Sequence, residues 1–371
     1  MVHIWVRAET KHQEHRTALT PSAARQLVEK GFKVSVEKCT ERIFKDEDYE
    51  GTGVTLVPHG SWRTAPADAY ILGLKELPEN DDSPLPHNHI MFAHCYKQQA
   101  GWKDVLNRFD SGKGTLLDLE FLVDERGRRV AAFGYHAGYA GSAVGLDLWC
   151  HKVLSGDDVK FPAIEHFNDD KALIKHIKTR LDLAVQKFGR IPKVMVMGAL
   201  GRCGSGATDF FRHVSIPEGN IIKWDLAETK AGGPFPQILD ADIFVNCIYL
   251  STPIPPFVTL EMVKNTADRK LSVLVDVSCD ATNPHNPIPV YYGATTFVDP
   301  VLRVEGAPAK DLDVVAIDHL PSLLPRESSE AFCKDLLPSL LELATRESAP
   351  VWAKADKLFH DKVREAKASK L

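Results

Sequence analysis

The sequence predicts an α/β protein of two domains, each wound around a parallel sheet, with an active-site cleft between them. Three observations carry this expectation. Short β-like runs alternate with helical segments through the first 135 residues, and a second such series begins at Lys193. Between them lies a small-residue helix. An apolar strand, Lys193-Val-Met-Val-Met-Gly198, runs straight into a glycine-rich turn, Gly198-Ala-Leu-Gly201-Arg-Cys-Gly204-Ser-Gly206.

In the first series, residues 2–6, 32–36, 54–57, 70–74, 89–94 and 115–119 read as strands. Thr20-Pro21 opens a helix that Gly31 stops, because the Thr hydroxyl can cap free amides and proline fits the first turn. Residues 102–109 read as a further helix. The segment His136-Ala-Gly-Tyr-Ala-Gly-Ser-Ala-Val-Gly is expected to be helical and to bridge the domains, with its glycines marking close packing against another backbone. An amphipathic helix near 171–188 precedes the second series, whose strands are expected at 194–197, 221–224, 243–248, 271–277 and 314–317. Helices at 327–343 and 352–367 return to the first domain. This places the domains at 1–134 with 319–371, and at 135–318.

At 371 residues, with 44% hydrophobic and 26% charged residues, the chain can bury two cores. A net charge of −5 gives no electrostatic reason to expect nucleic acid or an anionic membrane as partner, so a small-molecule substrate is expected. No long apolar run suggests a membrane span, and the first residues do not read as a signal peptide. Seven scattered cysteines without a CxxC pair argue for an intracellular protein, against structural zinc and against a secreted disulfide framework, and no metal is expected. The chain closes on Ser369-Lys370-Leu371, the tripeptide read by the peroxisomal import receptor, so the peroxisomal matrix and the cytoplasm are the expected locations.

The glycine turn suits a dinucleotide. Backbone amides at a helix N-terminus hold pyrophosphate, and glycine permits close approach. The spacing departs from G-x-G-x-x-G, and a glycine-rich corner without a ligand is the alternative. Asp225 ends the next strand, about 20 residues on, where a carboxylate binds ribose hydroxyls and repels a 2′-phosphate. NAD is therefore expected over NADP, although Arg202 and Lys223 lie nearby. Tyr249 and Val277, at the carboxyl ends of later strands, can cover the cofactor or belong to the core.

In the first domain, Lys75-Glu76 and His94 follow successive strands and can project into one cleft. A buried lysine becomes a usable base when desolvation lowers its pKa, an effect that a nearby carboxylate such as Glu76 opposes. Histidine relays protons near neutral pH. A surface lysine beside a core histidine is the other reading of the same pair. Cys203, in the turn, and Cys247, near the end of an adjacent strand, can approach disulfide distance or be two neighbouring thiols.

The opening Arg7-Ala-Glu-Thr-Lys, with His15-Arg16-Thr-Ala-Leu-Thr-Pro21, resembles the alanine dehydrogenase and transhydrogenase superfamily. Gly73-Leu-Lys-Glu-Leu-Pro, Phe92-Ala-His-Cys-Tyr-Lys-Gln, Gly127-Arg-Arg-Val-Ala-Ala-Phe-Gly134 and Asp318-His-Leu-Pro-Ser-Leu-Leu-Pro-Arg-Glu327 are similar, in order, to the fungal NAD-dependent, lysine-forming saccharopine dehydrogenases. The resemblance implies two Rossmann-like domains, a monomer, and the last step of lysine synthesis through α-aminoadipate. In that step saccharopine, NAD and water become lysine, 2-oxoglutarate and NADH. It further implies Lys75 as general base and His94 as the acid–base group of imine hydrolysis. Arg16, Gln99, Arg128 and Phe133 would contact substrate. Arg129, Gly201, Arg202, Asp225, Thr229, Tyr249, Val277, Ile317, Asp318, His319 and Leu320 would contact NAD, and Glu76 and Glu120 would tune the site. An alanine- or opine-type dehydrogenase of the same superfamily, or a non-catalytic NAD sensor, is the competing expectation.

Overall fold

Each strand series forms a six-stranded sheet in the computed structural model, which describes residues 1–78, 81–250, 252–279, 281, 283, 285–306 and 312–368. The peroxisomal tripeptide Ser369-Lys370-Leu371 lies outside the described residues. The chain divides into two compact units, residues 1–132 with 325–371, and residues 133–324; the sequence reading put these crossings at 134/135 and 318/319.

In the first unit the strands are β1 (His3–Val6), β2 (Lys33–Glu37), β3 (Thr55–Val57), β4 (Tyr70–Leu72), β5 (Asn88–Met91) and β6 (Thr115–Asp118). They are parallel throughout, in the order β3-β2-β1-β4-β5-β6. A sheet covered on both faces needs apolar runs, and every residue of β1 and β6 is buried. The Thr20 hydroxyl accepts the Ala23 N–H at 3.3 Å and starts α1 (Pro21–Glu29); α2 (Trp102–Gly112) connects β5 to β6. The chain steps from β1 outward through β2 and β3, then returns on the far side of β1 as β4. Loops leaving β1 and β4 thus diverge at the carboxyl edge, the place where an open α/β sheet forms a crevice.

The second unit begins with α3 (Gly134–Ser155) and α4 (Asp170–Phe188). Then follow β7 (Val194–Met197), α5 (Arg202–His213), β8 (Ile221–Trp224), α6 (Leu226–Thr229), β9 (Ile243–Asn246), α7 (Leu260–Asn265), β10 (Val273–Asp276), β11 (Leu302–Arg303) and β12 (Asp313–Val315). Their order is β11-β12-β10-β9-β7-β8, and only β11 is antiparallel. This two-residue edge strand was not foreseen, since two residues carry no periodicity. The switch point here falls between β7 and β9, beside the glycine turn.

The expected bridging role of α3 is corrected: it is a core helix of the second unit. A Cβ added at Gly138 would stand 1.9 Å from the Cys203 carbonyl oxygen, and one at Gly206 would stand 1.9 Å from that of Tyr135. Helices α3 and α5 therefore touch backbone to backbone. Gly145 instead makes room for a side chain, that of Val275 of β10, whose Cγ2 would stand 2.4 Å from an added Cβ. The expected return of the C-terminal helices is observed. Ser329 of α8 (Pro325–Leu341) accepts the Thr17 N–H at 3.0 Å, and Phe359 of α9 (Pro350–Ala368) meets Phe109 edge-on at 6.0 Å. Among the described residues no helix is long and apolar enough to cross a membrane.

Candidate active site

In the first unit the candidate residues gather along the carboxyl edge of the sheet. The ladder pairing Leu72 with Ile90 continues beyond both strands, with the Phe92 N–H donating to the Leu74 carbonyl at 2.9 Å. Lys75 and His94 each lie three residues past a strand end, so neighbouring strands carry them out of the sheet side by side. Lys75 is buried, while Glu76 beside it is exposed. The strand expected to run to His94 stops at Met91, because His94 adopts a left-handed backbone, φ 50°, that no strand accommodates. The His94 ring stacks on Phe92, and its buried Nε2 makes no hydrogen bond among the described residues. A buried ring nitrogen without a partner is free to exchange a proton with a ligand.

Two buried carboxylates hold these segments, and neither was singled out from the sequence. Glu9 accepts the N–H groups of Leu74 (2.7 Å) and Lys75 (2.9 Å). Burial pushes its carboxyl up, opposed by Arg7 at 3.4 Å and by those two N–H groups. The Arg7 guanidinium also donates to the Lys75 carbonyl. Asp118, at the end of β6, accepts the N–H groups of Ala93 (3.2 Å) and Glu120 (2.9 Å). The available signal was position alone: an acid closing β6, and another three residues past β1.

The remaining first-unit candidates have partners of their own. Arg16 is buried and meets Glu14 in a fork, with Nε to Oε1 at 2.7 Å and Nη2 to Oε2 at 2.6 Å, which neutralises it locally. Glu120 pairs with Lys97 at 2.7 Å, and Gln99 accepts the Lys97 N–H at 3.0 Å. Arg128 is exposed and reaches Asp124 at 3.1 Å, whereas Arg129 lies over the Phe92 ring at 5.8 Å. Phe133 falls in the second unit, half-buried at the start of α3.

In the second unit β7 is followed directly by Gly198, whose φ of 84° turns the chain so that Gly201 precedes α5. A Cβ at Gly204 would stand 2.1 Å from the Gly198 carbonyl, so this glycine is required by the turn itself. Gly201 differs. An added Cβ there would meet only that carbonyl, at 3.4 Å, leaving open space over the N-terminal amides of α5. Asp225 caps α6: Oδ1 accepts the Leu226 N–H (2.8 Å), and Oδ2 accepts the Leu200 N–H (2.9 Å). These bonds, with the Glu228 N–H also donated to the side chain in a capping box, orient the carboxylate toward the turn. Lys223 is drawn away by Glu218, which it shares with Arg212. Leu200, Leu226 and Tyr249 expose most of their apolar surface in the segments that follow β7, β8 and β9, as suits a flat aromatic ring. An open glycine, an oriented carboxylate and exposed apolar side chains fit a dinucleotide.

Other expected cofactor contacts are more enclosed. Thr229 is buried, its hydroxyl donating to the Asp225 carbonyl at 2.9 Å. Val277 and Leu320 pack near Gly141 of α3. Ile317 is core, His319 lies edge-on to Phe297 at 5.1 Å, and Arg202 and Asp318 are exposed. Cys203 and Cys247 are both free thiols. Their hydrogen bond, and then burial, push the Cys247 thiol well above its ordinary value.

The family described as alanine dehydrogenase/PNT, N-terminal domain, matches residues 5–140. An L-alanine dehydrogenase structure superposes with a TM-score of 0.66 at 16% identity, covering 97% of this chain and 100% of that one. A transhydrogenase from Sinorhizobium meliloti gives 0.61 at 17%, covering 92% and 94%. The fold is thus of the alanine dehydrogenase and transhydrogenase class, two Rossmann-like α/β units. Far greater likeness links the chain to proteins named saccharopine dehydrogenase [NAD(+), L-lysine-forming]. The one from Schizosaccharomyces pombe is 55% identical over 98% of both chains, and the one from Yarrowia lipolytica 57% over 96% of both. That from Candida glabrata is 55% identical over 97% of this chain and 96% of its own. The chain belongs to this family of saccharopine dehydrogenases.

Proposed function

We propose that this protein is an NAD-dependent oxidoreductase that converts saccharopine and water to L-lysine and 2-oxoglutarate, reversibly, in the last step of lysine synthesis through α-aminoadipate. The observation that carries the reading is end-to-end identity of 55–57% with enzymes named for that reaction. The placement of Lys75 and His94 past adjoining strand ends supports their roles.

Bound NAD supplies the hydride acceptor, and Gly201, Arg202 and Asp225, with Tyr249 at the adjoining strand end, would hold it. In the first unit Lys75 Nζ takes the proton of the substrate's secondary amine as the neighbouring carbon is oxidised. Glu9 and Arg7 fix the Lys75 backbone while this happens. Water adds to the resulting imine carbon, and His94 Nε2 accepts its proton. The same ring returns a proton to nitrogen, the C–N bond breaks, and lysine and 2-oxoglutarate separate. Arg16 and Arg128 answer the carboxylates of saccharopine; Glu14 orients the Arg16 guanidinium through its two hydrogen bonds, and the exposed Arg128 is the more adaptable of the two.

Lys75→Met and His94→Gln are expected to lower turnover by at least about a hundredfold, in line with general acid–base contributions, with NADH binding retained. Near-normal rates in both variants would refute these roles. NADH consumption with lysine plus 2-oxoglutarate, compared with pyruvate plus ammonia and with neither, separates this activity from an alanine dehydrogenase and from a sensor. The proposal includes a monomer, peroxisomal import through Ser369-Lys370-Leu371, and redox control through Cys203 and Cys247. A single-chain mass in solution and loss of import on deleting Leu371 are the readings expected for the first two.

A further inference from the structure

We infer that Asp118 is a positioning residue for the reaction: its single carboxylate ties the peptide preceding His94 to the peptide of Glu120 and so sets where the His94 imidazole stands. The inference rests on the function proposed above.

The β5–β6 ladder ends at the Met91–Asp118 pair. Beyond it the chain carrying His94 leaves the sheet. The Phe92 N–H still finds the Leu74 carbonyl on one side, but the Ala93 N–H has no strand left on the other and takes Asp118 Oδ2 at 3.2 Å. His94 follows directly, in its left-handed backbone, which persists only where surrounding bonds hold it. Asp118 Oδ1 takes the Glu120 N–H at 2.9 Å, and the Glu120 side chain reaches back to Lys97 in the His94 segment. One carboxylate thereby closes a ring of hydrogen bonds through both segments.

The arrangement requires an ion. A carboxylate offers two acceptor oxygens and both face N–H donors; an amide or a neutral acid offers one good acceptor and turns a donor on the other N–H. Asp118 is almost wholly buried. Burial, with Glu120 adding to it, pushes the carboxyl up to about 7, while the two N–H groups and Arg129 pull it down. Cys95 and Tyr96, from the His94 segment, are themselves raised by burial and by Asp118. From α9, which packs on β6, Lys362 acts on Cys95 and Asp356 on Tyr96. Ionised and neutral forms of Asp118 therefore exchange near neutrality, and the hold on His94 loosens as the pH falls through that range.

Asp118→Asn, nearly identical in shape, tests this in the full-length enzyme. It is expected to lower kcat about tenfold or more, to leave the KM for NAD and NADH binding within about twofold, and to remove the part of the kcat–pH profile centred near 7. The ring resonances of His94, assigned by their loss in His94→Gln, should shift. An unchanged kcat and pH profile overturns the inference, and so does a kcat loss matched by an equal loss of NADH binding, which marks general damage. If the native chain does not oxidise saccharopine, the proposed function fails, and unshifted His94 resonances would separately overturn the positioning role. If Asp118→Asn does not fold, the native protein serves: titration of its His94 resonances must show a second inflection, from Asp118, beside that of the ring, and a single inflection overturns the inference.

Discussion

Gly206→Ala presses on the contact that joins the nucleotide turn to the core of the second unit. The new Cβ would lie 1.9 Å from the Tyr135 carbonyl oxygen, against at least 3.4 Å for an ordinary van der Waals contact. Helices α3 and α5 must then part by about 1.5 Å, or the Tyr135 carbonyl must tilt. Both atoms belong to helical backbone, and Gly138 makes the reciprocal contact with Cys203, so neither side yields cheaply. Overpacking of this kind costs about 3 kcal/mol at the upper end of its usual range. The better helix propensity of alanine offsets about 1 kcal/mol. A net loss of about 2 kcal/mol lowers the melting temperature by about 4–8 °C for a domain of this size. Gly219→Ala is the control, because nothing lies within 4 Å of its added Cβ; it should stay within about 0.5 kcal/mol of the native protein. Thermal and urea unfolding read the stability. An NADH fluorescence titration reads the turn, where a several-fold weaker affinity is expected, since α5 begins at Arg202 directly after Gly201. If Gly206→Ala melts within a degree of Gly219→Ala, the backbone contact does not hold α3 and α5 as described.

Glu37 is fully buried and accepts four N–H groups, from Trp5 Nε1 (3.2 Å), Ala8 (3.0 Å), Gly60 (2.9 Å) and Trp62 (2.6 Å). Glu37→Gln sets an NH2 against some of these donors and should cost about 2–4 kcal/mol in urea unfolding; an unmoved midpoint would contradict that geometry. Diamide should take two electrons and two protons from Cys203 and Cys247, forming their disulfide and weakening NADH binding, with Cys203→Ser unresponsive; equal affinity in both redox states would exclude a functional role. The stability of Asp118 has its own pH signature. Its folded pKa is raised above the ordinary 3.8, so burying the charge costs stability above pH 7, by roughly 4 kcal/mol at most, and the cost disappears as pH falls toward 4. The stability of native protein minus that of Asp118→Asn should therefore rise between pH 8 and pH 5, and a flat difference would refute the raised pKa.

Much of the architecture is written locally. Strands 194–197 and 221–224 were located to the residue: the first is an apolar run buried in a parallel sheet, and the second, with Lys223 exposed, is the edge strand beside it. The glycine turn and Asp225 could be picked out as candidates from their spacing, whereas the roles expected of Lys75 and His94 came from the family resemblance of the strings around them. Tertiary structure decided what these strings touch. Residues 92–94 have strand-like composition, yet Asp118, far away in sequence, receives the Ala93 amide and lets the chain turn at His94. Glycines that read as a bridge proved to be a helix-packing surface, because what a missing Cβ makes room for is set by the opposing backbone. Arg16, expected from the resemblance to contact substrate, is matched by Glu14, just two residues away, through a fork that only the folded loop creates. The sequence by itself determined the class of fold, the position of the glycine-rich turn and the family. The hydrogen bonds that hold Lys75 and His94 in place join residues distant along the chain, so only the folded protein could reveal them.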